Sequence, residues 1–288
     1  MPLIRSRVFF FALLPLGLGL ACADNDASPV RKCNGRADLC DRPFNRTVFP
    51  GTHNSMSNAD ASWVAANQQH GLTRQLEDGI RVMLLDTHYW KGGAYFCHSI
   101  CEFGHQPLEE GLGEIKSFMD AHPDEVLAII FEDGISPADT ASAFESTGLV
   151  KFVFTHEPGS SWPTLGEMID SGGRLLITAE NQGPPPAWYQ HVWDMTFDNP
   201  YSYTSIDQFS CTLNRGSASN DLFLLNHWIG NPLPNPAAST TANRYEVLKE
   251  HADRCRNETG RIINFVAVDY YSIGDLFRVV NELNDSVQ

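Results

Sequence analysis

The sequence predicts an α/β fold, either an α/β barrel or a doubly wound sheet. Apolar, β-branched runs alternate with helical patterns over about 240 residues, as is typical of a parallel sheet covered by helices. Two runs, at 126–131 and 265–268, are apolar without alternation, as expected of strands buried on both faces. The predicted strands lie at residues 46–54, 80–88, 94–99, 125–133, 173–181, 221–228 and 262–271.

The segments between these strands carry helix signals. Ser136 followed by Pro137 starts one helix, because proline is favoured at the first helical position. The sequence TLGE at 164–167 is a capping box, and Ser272 is expected to open the last helix. No Gly-x-Gly-x-x-Gly or P-loop pattern follows a strand, which argues against nucleotide-binding folds. The helix predicted at 107–121 presents one apolar face, formed by Leu108, Leu112, Ile115, Phe118 and Met119.

The N-terminus predicts export. Residues 1–21 combine a basic start, a short apolar run and small residues, the pattern of a signal peptide. Cys22 follows Gly-Leu-Ala and resembles a lipobox cysteine, although Gly19 stands where leucine is usual. We therefore expect a lipid-anchored protein with residues 22–41 as a lipidated or flexible tether. An ordinary secreted protein is the alternative.

Six cysteines remain after Cys22, and an even number in an exported chain indicates disulfides. Six cysteines allow fifteen connectivities, so the pairing stays open. A zinc site is the competing interpretation, but no Cys-x2-Cys pair is present. The simplest local pairing is Cys33–Cys40, Cys97–Cys101 and Cys211–Cys255.

The formal charge is −15, from 35 acidic and 20 basic residues, and it becomes −17 if residues 1–21 are removed. A surface this acidic repels nucleic acid and is not attracted electrostatically to anionic lipid headgroups. An anionic substrate would therefore need a local cation in its binding site.

Five predicted strands end in a charged or imidazole residue: His53, Asp86, His98, Glu132 and Asp269. In parallel barrels the carboxyl ends of the strands converge on the active site. One acid at a strand end is more often a cap or turn residue, but five such ends predict a cluster. Two imidazoles can serve as base and acid in one displacement. Carboxylates beside an amide oxygen suit Ca²⁺, so the cluster suggests chemistry at a phosphodiester.

For several other polar and aromatic residues, the sequence supports both a functional and an ordinary structural interpretation. His88 shares a strand face with Asp86 and either lines the pocket or is an ordinary loop histidine. Glu180 and Asn226–Trp228 end strands and either contact a headgroup or cap a turn. The aromatic cluster in the Pro-rich segment 183–204 is more simply a packed loop than a membrane-contacting rim. That cluster comprises Trp188, Tyr189, Trp193, Tyr201 and Tyr203.

Four motifs in order resemble the X domain of phosphatidylinositol-specific phospholipase C: PGTHNS, QLEDGIRVMLLDTHYW, YFCHS and VLAIIFED. The resemblance is closer to secreted or anchored phospholipase C-like phosphodiesterases of plants and bacteria, which share a late NF.AVD.Y motif. It implies a distorted TIM (β/α)8-type barrel forming a single domain over residues 42–288. It also implies cleavage of phosphoinositides to diacylglycerol and an inositol phosphate, often cyclic.

By this resemblance, His53 is the general base, His98 the general acid, and Asp269 the carboxylate that orients His53. The calcium-dependent branch of the family has Asn after the first histidine, two acids in the second strand and Glu in the fourth. Asn54, Asp86 and Glu132 match that branch and imply Ca²⁺ as cofactor.

Leu84 stands where the calcium-dependent branch has its other acid, which would weaken Ca²⁺ binding. The metal-independent branch has an arginine in the second strand, and no cation is evident at that position here. We therefore expect a monomeric, calcium-assisted phosphodiesterase acting on phosphatidylinositol-type lipids at a membrane surface, without nucleic acid partners. The alternatives are another headgroup or a glycerophosphodiester as substrate, a binding module with weak catalysis, and a structural surface lipoprotein.

Overall fold

The computed structural model describes residues 2–3, 8–10, 30–230 and 233–287. The predicted signal peptide lies almost wholly outside these residues, and Cys22 lies outside them. One compact unit spans Arg31–Gln288. Within the described ranges, no helix is both long enough and apolar enough to cross a membrane.

Eight parallel strands form the central sheet, in the order β6-β7-β5-β2-β1-β11-β10-β9. The sheet curls into an open, distorted barrel. Three short strands lie off this path: β3 and β4 extend β2 by antiparallel pairing, and β8 pairs with β7. The strands are β1 (Phe49–Thr52), β2 (Val82–Trp90), β3 (Gly93–Phe96), β4 (Gln106–Pro107), β5 (Leu127–Gly134), β6 (Val153–Phe154), β7 (Leu175–Ala179), β8 (Gln190–His191), β9 (Thr196–Asp198), β10 (Leu222–Asn226) and β11 (Phe265–Val268).

In the described part of the chain, seven α-helices accompany the strands. The capping box at Thr164 and Glu167 is confirmed, as is the Ser136 cap, whose Oγ accepts from Asp139 N. The last helix begins at Leu276 rather than near Ser272, because Gly274 adopts a left-handed φ of 90° before it. The helices are α1 (Leu72–Asp78), α2 (Leu108–Ala121), α3 (Pro137–Thr147), α4 (Leu165–Ser171), α5 (Pro236–Ala242), α6 (Tyr245–Thr259) and α7 (Leu276–Asp285).

Alternate residues of each strand pack on opposite faces of the sheet. On β2, Met83 and Leu85 join the core between the sheet and the helices, whereas Val82 and Leu84 join the core inside the curl. Leu84 and Asp86 therefore share the inner face. The fully buried sheet explains why the runs at 126–131 and 265–268 carry no polar alternation.

The folded unit begins at Arg31, not at residue 42, so part of the predicted tether is structured. Cys33 and Leu39 are buried in the inner core, where Phe44 and Trp162 stack with ring centroids 5.3 Å apart. The Cys33–Cys40 disulfide closes this segment. Residues 31–41 therefore contribute apolar surface to the barrel interior, which a tether would leave in water.

All three predicted disulfides are confirmed. The bridges join residues that are 7, 4 and 44 positions apart, respectively. Cys211–Cys255 has the largest separation and ties the loop after β9 to α6.

Replacing both Cys211 and Cys255 by serine is expected to lower the free energy of unfolding by about 4 kcal/mol, because the crosslink restricts a long loop in the unfolded chain. The matched double variant Cys33→Ser/Cys40→Ser should lose about 2.5 kcal/mol, since its loop is short. Urea unfolding of both variants measures the two losses. A larger loss in the short-loop variant would contradict this chain-entropy argument.

Candidate active site

The first strand holds His53 at the open end of the barrel. His53 N donates to Val268 O at 3.0 Å, which continues the parallel pairing of β1 with β11 by one residue. The His53 ring stacks on Trp228 with centroids 3.9 Å apart and an interplanar angle of 8°. Its position is therefore set by both backbone and ring contacts.

His53 and Asp269 form a hydrogen-bonded pair, as the sequence predicted. His53 Nδ1 lies 2.9 Å from Asp269 Oδ1, and Asp269 is buried. Asn67 Nδ2 donates to the same oxygen at 3.1 Å. An ionised Asp269 accepts the Nδ1 proton, so the neutral ring carries its lone pair on Nε2. This is the geometry of an oriented base.

Asn67 and Gln68 were not identified as site residues from the sequence. Gln68 Nε2 donates to the carbonyls of His53 at 2.8 Å and of Val268 at 3.0 Å. These bonds tie the His53 backbone to the end of β11, and Asn67 fixes Asp269. Both are buried polar side chains in a loop, which periodicity does not single out.

Each candidate catalytic residue precedes a residue with a left-handed backbone. The φ angles are 44° at Asn54, 59° at Ser99 and 46° at Tyr270. Such conformations cost free energy in residues other than glycine, and they cluster at active sites. The positions after His53, His98 and Asp269 are therefore places where the fold tolerates strain.

His98 reaches the site by a different route from the one predicted. Its strand, β3, pairs antiparallel with β2 and is not part of the parallel sheet. The β2–β3 turn places Lys91 and Gly92 at φ of 46° and 82°, as in the tight turns of β-hairpins. The hairpin carries His98 back to the barrel mouth, where the Cys97–Cys101 disulfide encloses it.

The residue His98 is exposed, yet its pKa is lowered. The main cause is loss of water around part of the ring, followed by the charge of His53, while Asp269 opposes the shift.

The predicted metal ligands and His53 line one cavity of about 150 Å³. Asp86 and Glu132 are direct neighbours on β2 and β5, and Asn54 follows β1. Burial raises the pKa of Asp86 well above its ordinary value, and the negative charges of Glu132 and Glu180 raise it further. The site thus concentrates negative charge that a cation would compensate.

Hydrogen bonding distinguishes the two orientations of the Asn54 amide and favours the one in which its NH2 donates to Asp86. In one, its NH2 donates to the two Asp86 oxygens at 3.0 and 3.3 Å, and its carbonyl accepts from His53 Nε2 at 3.2 Å. In the other, its NH2 donates to Asn67 Oδ1 at 3.3 Å, and its carbonyl faces the Asp86 carboxylate. The second arrangement places oxygen atoms side by side, as around a hard cation.

Arg215 is a cation in this cavity that sequence analysis did not identify. It donates to Glu180 Oε2 at 2.6 Å and twice to Asp198 Oδ2, at 2.6 and 2.9 Å. Its guanidinium lies over the rings of Trp193 and Tyr201, at 4.1 and 4.7 Å. It comes from the loop between β9 and β10, where neither apolar periodicity nor a strand end marks it.

Glu180 has a pKa raised to about 7, chiefly by burial, with Arg215 opposing the shift and Glu132 adding to it. Asn226 also lines the cavity and donates to Asp198 Oδ2 at 3.0 Å. Glu180 and Asn226 are therefore cavity residues, as one of their two interpretations predicted.

Several of the other candidate residues lie outside the cavity that Asp86 lines. His227 is buried against His251, with 2.8 Å between their Nδ1 atoms, and burial lowers the pKa of His227 to about 4. His88 is not among the residues that line the Asp86 cavity. In the segment 183–204, Tyr189 and Tyr203 are buried, and Tyr201 alone lines the cavity. The packed-loop interpretation therefore describes most of this segment.

A second cavity, of about 210 Å³, adjoins His98. Its other walls are mostly apolar, and Val64, Ile100 and Phe103 among them are 59, 48 and 50% exposed. His98 therefore stands beside an apolar recess, whereas His53 stands in the polar cavity.

Solved structures similar to this chain include two of phosphatidylinositol-specific phospholipase C from Staphylococcus aureus. One, from work on its membrane binding, has a TM-score of 0.59 at 13% identity and covers 86% of this chain and 95% of its own. An F249X mutant has a TM-score of 0.56, with the same identity and coverage. At this identity the similarity shows the fold alone, and it confirms the predicted distorted TIM barrel.

Curated relatives include an uncharacterized secreted protein of Arthroderma benhamiae, 28% identical over 89% of this chain. A PI-PLC X domain-containing protein of Arabidopsis thaliana is 28% identical over 85%. This chain covers 64% and 63% of those two relatives. PI-PLC X domain-containing protein 1 of A. benhamiae is 27% identical, with 99% of both chains covered. The PI-PLC X family model matches residues 39–284, and the chain therefore belongs to the family of PI-PLC X domain proteins.

Proposed function

We propose that the protein is a phosphodiesterase that cleaves phosphatidylinositol-type phospholipids by phospholipase C chemistry. The observation that carries this proposal is the His53–Asp269 pair at 2.9 Å, with His53 lining a polar cavity. Family membership and a barrel shared with phospholipase C structures support it.

In the proposed reaction, His53 Nε2 takes the proton of the inositol 2-hydroxyl while Asp269 holds the ring. The resulting oxygen attacks phosphorus, and the bond from phosphorus to the glycerol oxygen breaks. His98 donates a proton to that leaving oxygen. The products are a cyclic inositol phosphate and diacylglycerol. The Asn54 orientation with its carbonyl towards Asp86 leaves His53 Nε2 free for this role.

Asn54, Asp86 and Glu132 are proposed to hold Ca²⁺, and their oxygens are the donors this ion prefers. The buried Asp86 carboxylate and the Asn54 amide beside it fit this assignment. When bound, the ion would neutralise negative charge on the phosphate. Arg215 supplies a second positive charge to the same cavity, although Glu180 and Asp198 already pair with it.

The apolar recess beside His98 supports a lipid substrate. The group that receives the proton from His98 is the leaving group, so an apolar wall there favours diacylglycerol over a water-soluble alcohol. A glycerophosphodiester or another lipid headgroup remains the alternative substrate. Assays on phosphatidylinositol and glycerophosphoinositol, read for cyclic inositol phosphate, and on sphingomyelin, read for phosphocholine, separate these possibilities.

Removing Ca²⁺ with excess chelator is expected to lower kcat/KM on phosphatidylinositol vesicles about 10- to 100-fold, because phosphate charge would lose its counterion. Adding Ca²⁺ back should restore activity, and Mg²⁺ should do so less well because it demands a tighter octahedral site. Unchanged turnover in chelator would exclude the calcium role.

Leu84 favours one second candidate, a binding module with weak catalysis. It places an apolar side chain on the cavity wall where an acid would strengthen cation binding. Calorimetric Ca²⁺ binding without turnover of any of the three substrates would support that candidate.

We also propose that the protein is exported, which its three disulfides support. A relative that is named as a secreted protein agrees with this. Lipidation of Cys22 and a monomeric state stay predictions. Mass spectrometry of the mature N-terminus tests the former.

A further inference from the structure

The Cys211–Cys255 disulfide lies beside a buried histidine. The two Sγ atoms and a ring nitrogen of His251 lie within 4.8 Å of one another, and all three residues are buried. Among the residues that the structure describes, no other three histidine, cysteine or acidic side chains bring their ligand atoms this close together. Thiolate sulfur and imidazole nitrogen are ligands that Zn²⁺ prefers. The three side chains therefore have the composition and the spacing of a zinc site once the disulfide is open.

Helix α6 and the loop after β9 bring these side chains together. His251 and Cys255 are four residues apart on α6, so they lie on the same face of the helix, as paired metal ligands on helices do. Cys211 comes from the loop between β9 and β10. Contacts besides the disulfide hold that loop against the helix: Arg254 Nη2 donates to Phe209 O at 2.8 Å, and the Phe209 ring stacks on His251 with centroids 4.8 Å apart. The three side chains are therefore expected to stay close when the disulfide opens.

Hydrogen bonds to the neighbouring histidine fix the tautomer of His251. His227 Nε2 lies 2.9 Å from Ala242 O, which can only accept, so this nitrogen carries the His227 proton. His227 Nδ1 then accepts a hydrogen bond from His251 Nδ1, 2.8 Å away. Both rings are buried, and burial disfavours a positive charge on either ring by lowering its pKa. His251 therefore holds its single proton on Nδ1 and its lone pair on Nε2.

The Nε2 lone pair of His251 has no hydrogen-bond donor among residues 30–230 and 233–287. Its polar neighbour is the carbonyl oxygen of Ser210 at 3.4 Å, which is itself an acceptor. Ser210 directly precedes Cys211, so Nε2 lies on the side of the sulfur atoms. A buried acceptor without a donor costs free energy, which a bound cation would offset. The Nδ1 hydrogen bond to His227 meanwhile orients the ring, as is usual for the second nitrogen of a metal-binding histidine.

The disulfide has to open before its sulfur atoms can bind a metal, because the metal ligand is the thiolate. A dithiol reductant opens it by exchange: two electrons and two protons pass from the dithiol to the Cys211–Cys255 bridge, leaving two thiols here and a disulfide in the reductant. Zn²⁺ then displaces both thiol protons and binds two thiolates and one imidazole nitrogen. The two positive charges of Zn²⁺ balance the two thiolates, so the buried site stays neutral.

We propose that Cys211, Cys255 and His251 form a redox-controlled zinc site, which a dithiol generates by opening the disulfide. The zinc ion takes over the link between α6 and the loop after β9. Arg215 lies in that loop, shortly after Cys211, so the ion keeps the cavity arginine in place under reducing conditions. None of the three ligands lines the cavity of Asp86, so this inference does not depend on the proposed function.

The Zn²⁺ affinity of the full chain tests this, measured by competition with a chromophoric chelator before and after reduction by a phosphine, which yields the same thiols. The reduced chain is expected to bind one Zn²⁺ about 100-fold more tightly than the oxidised chain, because only thiolates are strong ligands. Cys211→Ser/Cys255→Ser should lose this site. Cys33→Ser/Cys40→Ser, the matched control, removes another disulfide and should keep it. Equal affinities of the two reduced double variants would overturn the proposal.

Replacing His251 by asparagine tests the imidazole ligand. The amide of His251→Asn can still donate to His227 Nδ1 but has no nitrogen lone pair, so the Kd of the reduced chain for Zn²⁺ should rise about tenfold or more. His122→Asn, which changes a more exposed histidine elsewhere, should leave the Kd unchanged. A Kd within twofold of wild type in His251→Asn would show that His251 is not a ligand and refute the site as proposed.

Thermal melting of the reduced chain separates a site built by the fold from binding to unfolded thiols. A folded site predicts that Zn²⁺ raises the melting midpoint by about 5–10 °C at a free concentration about 100 times the Kd. If the reduced chain shows no cooperative transition without metal, Zn²⁺ should restore one. A midpoint that Zn²⁺ leaves unchanged or lowers, or a transition that it fails to restore, would mean that the fold does not build this site.

Discussion

Replacing His53 by alanine is expected to lower kcat on phosphatidylinositol by about 10²–10⁴-fold, the usual contribution of a positioned general base. The reason is geometric: Asp269 holds Nδ1, so Nε2 is the nitrogen presented to a substrate hydroxyl. Asp269→Asn should also lower kcat strongly, because an amide permits the wrong tautomer of the ring. Release of cyclic inositol phosphate from vesicles measures both variants.

The control for this prediction is the unfolding free energy of the His53→Ala variant. The His53 side chain is 21% exposed and its main apolar contact is the stack on Trp228, so its removal should cost about 1 kcal/mol or less of unfolding free energy. Trp228→Leu removes the same stack but keeps the base, and should retain far more activity than His53→Ala. Full activity in His53→Ala would refute the proposed mechanism.

The sequence was most informative where one parallel strand ends in one polar residue. His53 and Asp269 follow β1 and β11, whereas Asp86 and Glu132 close the apolar runs of β2 and β5 but lie within those strands. The sheet brings all four to one end of the barrel. This works because a fully buried strand is recognisable from its apolar run, and a polar residue at its end stands out.

His98 stays a predicted catalytic residue, but its placement on a parallel strand was wrong. Local sequence shows that residues 94–99 form a strand, but not which partner the strand chooses. The tight turn at Lys91 and Gly92 decides that choice in favour of β2. The signal was present in the sequence as a Lys-Gly-Gly turn between two apolar runs.

Arg215 could not be predicted because nothing local marks it. Its loop is polar and has no apolar periodicity. Its role arises from contacts with Glu180 and Asp198, which are 35 and 17 residues away in sequence. Long-range ion pairs of this kind depend on how the ends of β7 and β9 meet the loop that follows β9. The sequence alone therefore gave no local cation for a phosphate, whereas the structure contains one.

Replacing His98 by alanine is expected to lower kcat on phosphatidylinositol by about 10²–10⁴-fold, but much less on a substrate with a better leaving group. A general acid is needed because the glycerol oxygen departs poorly without a proton. An inositol phosphodiester of p-nitrophenol has a leaving oxygen that needs none. For each variant, the rate on phosphatidylinositol is divided by the rate on the p-nitrophenol diester. This ratio should fall in His98→Ala, which lacks the acid, and stay near the wild-type value in His53→Ala, because removal of the base slows both substrates alike.

Comparing the wild type with His98→Ala tests the sign of the pH dependence. An acid must hold its proton, and the surroundings lower the pKa of His98, so wild-type kcat/KM on phosphatidylinositol should fall as pH rises through a value below about 6.5. A bound phosphate anion favours the protonated ring, so the corresponding fall in kcat should occur at higher pH. His98→Ala should lose this fall in both parameters. If the fall persists in His98→Ala, another group is the acid.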